Sequence, residues 1–364
     1  MDTIKQFNVS KADLATTSLM EAPLPSRDTL PEDGLLVKVD RFAFTANNIT
    51  YAMLGDAMKY WQLFPAPDGF GNIPVWGFGE VVASRHPQME EGERLFGYFP
   101  MATHLVIEAG DVSKRGLRDR AVHRQNVAPV YNAYARVSDN PAFTGRNGDY
   151  QALLRALFML SFLVDDYLAE AEFFGARQVI LSSASSKTAF GLAHLLHSKR
   201  QPVRVIGLTS PGNADFTASL GCYHEVVPYD CIDTLPQEQV TAFVDMAGNA
   251  DLRGRLHRHF GDRLVYSGRV GMTHQDMTDA GDLPGAKPSW FFAPDQIRKR
   301  AKEWGPGGID QRFGAAWAGF VPMLETSLTI VEGFGVDAVE RIYRETLAGR
   351  VSPSEGHMLS LFAR

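Results

Sequence analysis

At 364 residues the chain is too long for one ordinary hydrophobic core and has the length of two domains of roughly 150–200 residues each. With 45% hydrophobic and 21% charged residues and no low-complexity run, it is globular in composition, which excludes a disordered or fibrous protein. A formal net charge of −6 without a basic stripe excludes a binder of nucleic-acid backbone and leaves a small molecule as the expected partner.

The opening MDTIKQFNVSKADL has no apolar signal-peptide core, and the most apolar run, Ala156–Val164, is too short to span a bilayer. A cytoplasmic protein without a membrane partner is therefore expected. Cys222 and Cys231 are too few for a disulfide framework or a four-cysteine zinc site, and are expected to be idle or buried thiols.

From Gly34 to Phe44 the run GLLVKVDRFAF partly alternates, which predicts a half-buried antiparallel strand. VWGFGEVVA (Val75–Ala83) and GERLFGYFP (Gly92–Pro100) mix glycine with β-forming residues, as the curved strands of a small barrel do. The first third is thus predicted to be mainly β. Residues 109–150 carry Arg115, Arg118, Arg120, His123, Arg124, Tyr131 and Tyr134, expected as a solvated charged face or a dimer contact, with anchoring of a substrate carboxylate or phosphate as the alternative.

Near residue 151 the rhythm changes. LLRALFMLSFLVDDYLAEAEFFG predicts a helix that ends at Gly175. Strands and helices then alternate, with strands expected at Gln178–Leu181, Val203–Leu208, Glu225–Val227, Ala242–Asp245 and Leu264–Ser267, and a sixth at Trp290–Phe292. Thr188–Lys199 and Asn213–Leu220 are among the intervening helical segments. This alternation implies right-handed βαβ crossovers and a doubly wound parallel sheet. After residue 295, Met323–Phe334 and Asp337–Leu347 read as amphipathic helices and Met358–Phe362 as a terminal strand, returning to the first domain.

Ligands of such sheets bind beyond the carboxyl ends of the strands. The turn after the first strand is SSASSKTAFG, Ser182–Gly191, in which the usual glycines are nearly absent. Small residues (Ala184, Ser185, Ser186, Ala189) still permit close approach to a phosphate, the hydroxyls, Ser183 among them, can donate to its oxygens, and Lys187 adds a compact positive charge. A serine-rich turn that only caps its helix is the plain alternative. The second strand ends in Thr209 and Ser210 instead of the carboxylate that binds ribose hydroxyls in NAD sites, which favours NADP(H) because a carboxylate would repel a 2′-phosphate. The fourth strand ends at Gly248 and the fifth at Gly268, so small-residue turns gather at one rim.

In their order these motifs resemble the medium-chain dehydrogenase/reductase superfamily, in particular a divergent subfamily of its zinc-free, quinone oxidoreductase-like branch. GLLVKVDRFAFTANNITYAMLG is similar to the family's active-site strand and helix, IPVWGFGEVVA and GERLFGYF to its next barrel strands, VILSSASSKTAFGLA to its nucleotide turn, and ADFTASLGCYHEVVPYD, AFVDMAG and LVYSG to the strands that follow. The resemblance implies an α/β fold in which a Rossmann-like, NADP(H)-binding domain (146–294) is inserted into a GroES-like, mainly-β barrel domain (1–145 and 295–364). It also implies a homodimer. Carried over by position, Ser185, Ser186, Lys187 and Thr188 would line the pyrophosphate, and Ser210, Asn213 and Tyr229 would lie near the 2′-phosphate. Ala247, Gly248 and Gly268 would lie near the nicotinamide half, with Ser161 at its ribose. The family's glycine pair is replaced here by Ser186 and Lys187, and its 2′-phosphate lysine by Asn213. Ser161 back-bonding within its own helix is the alternative to a ribose contact.

No cysteine precedes Cys222, so the Cys-His-Cys zinc set of alcohol dehydrogenases cannot form and no metal is expected. Tyr51 is the candidate proton donor or carbonyl polariser, and Asn48 could bind a carbonyl oxygen or hold a turn. Tyr60, Trp61 and Phe64 read as core or as an aromatic wall for an apolar or planar substrate. The expected activity is NADPH-dependent hydride transfer to an enone, quinone or related small carbonyl compound. A zinc-free carbonyl/alcohol oxidoreductase and a catalytically inactive redox sensor are the alternatives.

Overall fold

A computed structural model describes residues 3–138, 140–199, 203–270 and 282–364. The chain divides into two compact units, Met1–Leu153 with Thr329–Arg364, and Leu154–Leu328. In chain order the strands are β1 (Thr3–Ser10), β2 (Thr17–Pro23), β3 (Gly34–Phe44), β4 (Phe70–Gly71), β5 (Pro74–Ser84), β6 (Arg94–Pro100), β7 (His104–Ser113), β8 (Gly116–Asp119), β9 (Ala133–Arg136), β10 (Gln178–Leu181), β11 (Arg204–Thr209), β12 (Glu225–Pro228), β13 (Thr241–Asp245), β14 (Leu264–Arg269), β15 (Ser289–Trp290), β16 (Thr329–Phe334) and β17 (Glu355–Ser360). The α-helices are α1 (Ala46–Met53), α2 (Gly145–Glu170), α3 (Lys187–Ser198), α4 (Ala214–Ser219), α5 (Ala250–Phe260), α6 (Ala293–Trp304), α7 (Gly308–Ser327) and α8 (Val336–Leu347). No described helix is long and apolar enough to cross a membrane.

The first unit is a barrel because one sheet closes on itself: the order β16-β17-β3-β5-β6-β9-β8-β7 is completed by a β3–β7 pairing. Strand β3 explains how. Leu35, Val37 and Val39 face one core at period two, and a register slip between Val39 and Arg41 shifts the phase so that Phe42 and Phe44 join the same core. Gly97 in β6 leaves room for a ring: a Cβ there would stand 2.4 Å from Tyr134. The Tyr134 hydroxyl donates to Tyr98 O (2.6 Å) and accepts from Arg124 Nη1 (2.8 Å).

Arg124 is fully buried and pairs with equally buried Asp119 at 2.8 Å. Its remaining donors reach Asn132 Oδ1 (3.1 Å) and Tyr131 O (2.5 Å). This residue of the Arg-rich stretch is therefore a cross-link inside the unit instead of part of a solvated face. Arg118 and Arg120 do lie outside, lining a pocket of ≈ 340 Å³ together with Asp111 and Asp119.

The second unit holds the parallel sheet, in the order β12-β11-β10-β13-β14-β15. Its inner strands β10 and β13 are buried along their whole length, as a sheet covered on both faces requires. Ile180, Ile206, Leu208 and Phe243 pack there with Leu252 and Leu256 of α5. Residues 295–328, assigned from sequence to the first domain, cluster with the second unit. Arg300 of α6 bonds Asp166 (2.6 Å) and Glu170 (3.1 Å) of α2, and Phe320 of α7 stacks on Phe158 of α2 at 4.3 Å.

Met323–Phe334 is not one helix. Its first five residues end α7, and TIVEGF, rich in β-forming residues, pairs parallel with β17 as β16. Cutting the Arg124 cross-link tests the barrel most simply. Arg124→Met should cost about 3–5 kcal/mol in urea unfolding, because Asp119 is left charged and buried, whereas Arg124→Met with Asp119→Leu should recover most of that loss. A double variant no more stable than the single one would contradict this.

Candidate functional site

Four of the five residues after β10 are serines, and each is held differently. Ser182 donates to Asp245 Oδ1 (2.9 Å) and accepts from the amides of Met246 (2.9 Å) and Ala247 (3.1 Å), tying the end of β10 to the end of β13. Ser183 takes a left-handed backbone conformation (φ 50°), and its N–H donates to the Tyr229 hydroxyl at 3.0 Å. Ala184 accepts from the Tyr223 hydroxyl (2.8 Å). Ser185 accepts from Asn213 Nδ2 (3.2 Å) and lies 3.5 Å from Thr209 Oγ1. Ser186 is the N-cap of α3 and accepts from the Ala189 amide (3.3 Å).

Lys187 and Thr188 then form the half-buried first turn of α3. The backbone amides there carry the positive end of the helix dipole, which favours an anion. The structure thus pairs Ser183 with Tyr229 and, separately, gathers Thr209 and Asn213 on Ser185. Ser210, half-buried, precedes the helical turn Pro211–Asn213. The first acidic residue after β11 is Asp215, exposed in α4.

At the adjoining strand end, Asp245 has no solvent contact and its Oδ1 also accepts from the amides of Ala247 (3.1 Å) and Gly248 (2.9 Å). Its Oδ2 pairs with buried Arg253 at 3.0 Å. Gly248 has φ 71°, and Gly268 is buried in β14.

Of the two readings of Ser161, the structure shows the bond back to its own helix, to Leu157 O, together with one to α3. Its side chain is fully buried and donates to Thr188 O (2.7 Å), with Leu157 O at 3.1 Å, so it supports α3 from beneath. Ser182, Tyr223, Asp245 and Arg253 were not singled out in the sequence. A carboxylate closing an apolar strand, with an arginine eight residues on, was the available signal for the last pair.

In the first unit, Tyr51 is buried against Tyr60 (ring centroids 4.8 Å) and Tyr98 (5.7 Å). Burial, with the neighbouring Tyr131 phenol, pushes its hydroxyl well above the usual tyrosine value, so it stays a neutral donor. The Tyr60 and Tyr131 hydroxyls bond each other at 3.0 Å. Asn48 holds the start of α1: its Oδ1 accepts from Thr45 N (2.8 Å), and its Nδ2 donates to Pro74 O (3.0 Å). Of the aromatic trio after Tyr51, Tyr60 and Phe64 join this cluster, while Trp61 packs against the barrel core. Tyr131, expected in the Arg-rich stretch, packs on this cluster instead; Trp76 and Tyr98 complete it and were missed, although Trp76/Phe78 and Phe96/Tyr98 alternate at strand period.

The two units are a small closed barrel and a parallel α/β sheet whose sequence is inserted within that of the barrel. The chain belongs to the family described as "Protein of unknown function (DUF2855)", which matches residues 42–352. No curated protein matches the sequence. Among solved structures, the chain is similar to CurA from Vibrio vulnificus in complex with NADPH, at 11% identity and TM-score 0.62, covering 99% of this chain and 100% of the other. It is similar to a mutant enoyl thioester reductase from Candida tropicalis (14%, TM-score 0.57, 99% and 100% covered) and to the quinone oxidoreductase from Coxiella burnetii (13%, TM-score 0.54, 98% and 99%). These likenesses establish the fold: a Rossmann-like sheet inserted in a GroES-like barrel, as the sequence implied.

Tyr229 offers a direct test of the turn. Tyr229→Phe leaves the Ser183 amide without its acceptor and should lower stability by about 1–3 kcal/mol. Hydrogen exchange should quicken in peptides spanning 182–188. Unchanged stability and exchange would show that this bond does not hold the turn.

Proposed function

We propose that the chain binds NADP(H) at the β10–α3 turn and acts as a zinc-free, NADPH-dependent reductase of an activated alkene, quinone or related small carbonyl compound. One observation carries the reading. Numbered within the sheet, the strand order is 3-2-1-4-5-6, and the serine turn stands where that order reverses, between β10 and β13, opening on the N-terminus of α3. The fit is chemical as well as topological. Ser183, Ser185, Ser186, Lys187 and Thr188 offer hydroxyls, first-turn amides and one cation to a pyrophosphate. Thr209, Ser210, Asn213 and Tyr229 surround the second strand's end without a carboxylate, which suits a 2′-phosphate. Ala247, Gly248 and Gly268 are the small residues at the remaining strand ends, suited to the nicotinamide half.

Bound NADPH would supply a hydride to the β-carbon of the alkene. The chain's part is to position and to donate: Tyr51, kept neutral by burial, is the proposed proton donor or carbonyl partner. Support from the fold comes from CurA, solved with NADPH, and from the enoyl thioester and quinone reductases.

The test follows NADPH oxidation at 340 nm with aryl enones, quinones and aldehydes. Oxidation by at least one acceptor is expected, with NADH used less well. Ser210→Asp should weaken NADPH by at least about tenfold, equivalent to about 1.4 kcal/mol, and NADH far less, because the new carboxylate faces the 2′-phosphate. Unchanged selectivity would remove Ser210 from that site. NADPH binding without turnover of any acceptor would favour the redox-sensor alternative.

A further inference from the structure

Strand β8 and the residue after it read Gly116-Leu117-Arg118-Asp119-Arg120, with Leu117 and Asp119 buried and Arg118 and Arg120 exposed. Arg120 prolongs the pairing, since its N–H donates to Glu108 O at 2.9 Å, so the two arginines, at period two, share one face. Their neighbours leave that face open. Arg118 stands opposite Gly110 of β7 and Ala133 of β9, which bring little bulk to cover it. The Arg120 side chain fills the space over Gly110: a Cβ there would stand 1.8 Å from Arg120 Nε. Arg120 is thereby laid beside Arg118, and two like charges are brought together.

Beside them the β7–β8 register slips between Gly110 and Ser113, and Asp111 within the slip takes a left-handed backbone (φ 50°). That conformation is uncommon outside glycine, and bulges of this kind re-aim a side chain. Here the Asp111 carboxylate meets Arg120 Nη2 at 2.7 Å. The three residues line the cavity of ≈ 340 Å³, whose apolar wall is Val127 and Pro129, with the Gln125 amide at its edge. Val127 is fixed by its packing on the aromatic cluster of Tyr51, Tyr60 and Tyr98.

We propose that this cavity binds the carboxylate of a small aliphatic acid, as a second ligand site, in the barrel unit, that does not depend on the nucleotide reading. Charge selects the ligand. Both carboxylates that line the cavity are engaged, Asp119 by buried Arg124 at 2.8 Å and Asp111 by Arg120, which leaves the Arg118 guanidinium as the one unopposed lining charge. A monoanion balances it, and a planar carboxylate matches the paired N–H groups of a guanidinium. A phosphate dianion would bring its second charge towards Asp111 and Asp119. The apolar part of the acid rests on Val127 and Pro129. The volume lies at the lower end of the range of about 300–1,000 Å³ usual for small-molecule sites, which limits the acid to a short chain.

Calorimetric titration of the whole chain with hexanoate, 1-hexanol and inorganic phosphate, without nucleotide, tests the site. Hexanoate should bind at least about tenfold more tightly than either of the others. Arg118→Gln should weaken hexanoate about five- to tenfold and leave the melting temperature unchanged, because the side chain is exposed and unpaired. Arg115→Gln, exposed on the same hairpin but outside the cavity, should bind hexanoate like the wild type. Equal affinity for hexanoate and 1-hexanol, tighter binding of phosphate, or no binding of hexanoate at millimolar concentration would overturn the proposal. So would an Arg118→Gln variant that binds hexanoate like the wild type, or one that loses no more affinity than Arg115→Gln, since general surface charge would then account for the binding.

Discussion

A carboxylate removed from water must find its hydrogen bonds in the protein, and much of the second unit's rim is arranged around one that does. Asp245 closes the most central pair of strands, where β10 and β13 run side by side. It takes the Ser182 hydroxyl, the amides of Ala247 and Gly248, and the guanidinium of Arg253. Because a buried charge is tolerated only when its donors are all in place, these contacts fix where β10 stops and how the next residues leave it. The serine turn inherits that geometry. With its first residue bound to Asp245, Ser183 is carried into the left-handed region, and the two phenols Tyr223 and Tyr229 secure the backbone that follows.

This arrangement explains how a turn without the usual glycines can still present the start of α3. Glycine normally gives such a loop its unusual torsions and its open approach. Here the torsion is imposed on a serine and held by a hydrogen bond from its own amide, while the side chains next to the helix are small or hydroxylated. The surface offered to an anion therefore combines first-turn amides, serine and threonine hydroxyls and Lys187, a different chemistry from a bare glycine cradle.

The first unit follows a parallel logic with opposite charge. Arg124 is the buried ion, and satisfying it draws together Asp119, Asn132, the Tyr131 carbonyl and the Tyr134 hydroxyl. Tyr131 and Tyr98 are thereby set face to face. The aromatic cluster around Tyr51 thus depends on a residue that composition alone would assign to the surface. Only tertiary burial distinguishes Arg124 from exposed Arg118 and Arg120, which is why its role was not legible in the sequence. The parallel sheet was legible, since β10 to β14 each carry a local apolar run bounded by turn residues, whereas the sixth strand, read at Trp290–Phe292, is the short exposed pair Ser289–Trp290. The strand β16 was not, because TIVEGF next to a helical run fits a helix until its partner β17 is known. Among site residues, the β10–α3 turn could be read from its hydroxyls. The true place of Ser161, beneath α3 and bonded to Thr188 O, depends on a contact across two helices that no spacing encodes. Asn48 similarly gave two readings in sequence, and its bonds to Thr45 and Pro74 are what the fold adds.

The central claim is that the β10–α3 turn holds the phosphates of NADP(H). Hydrogen exchange with and without saturating NADPH tests it at the residues themselves. Amides in peptides covering 183–190 and 209–213 should exchange more slowly with NADPH, less so with NADH, and the protection should weaken in Lys187→Ala. Unchanged exchange across both segments at saturating NADPH, or protection confined to other parts of the chain, would contradict it.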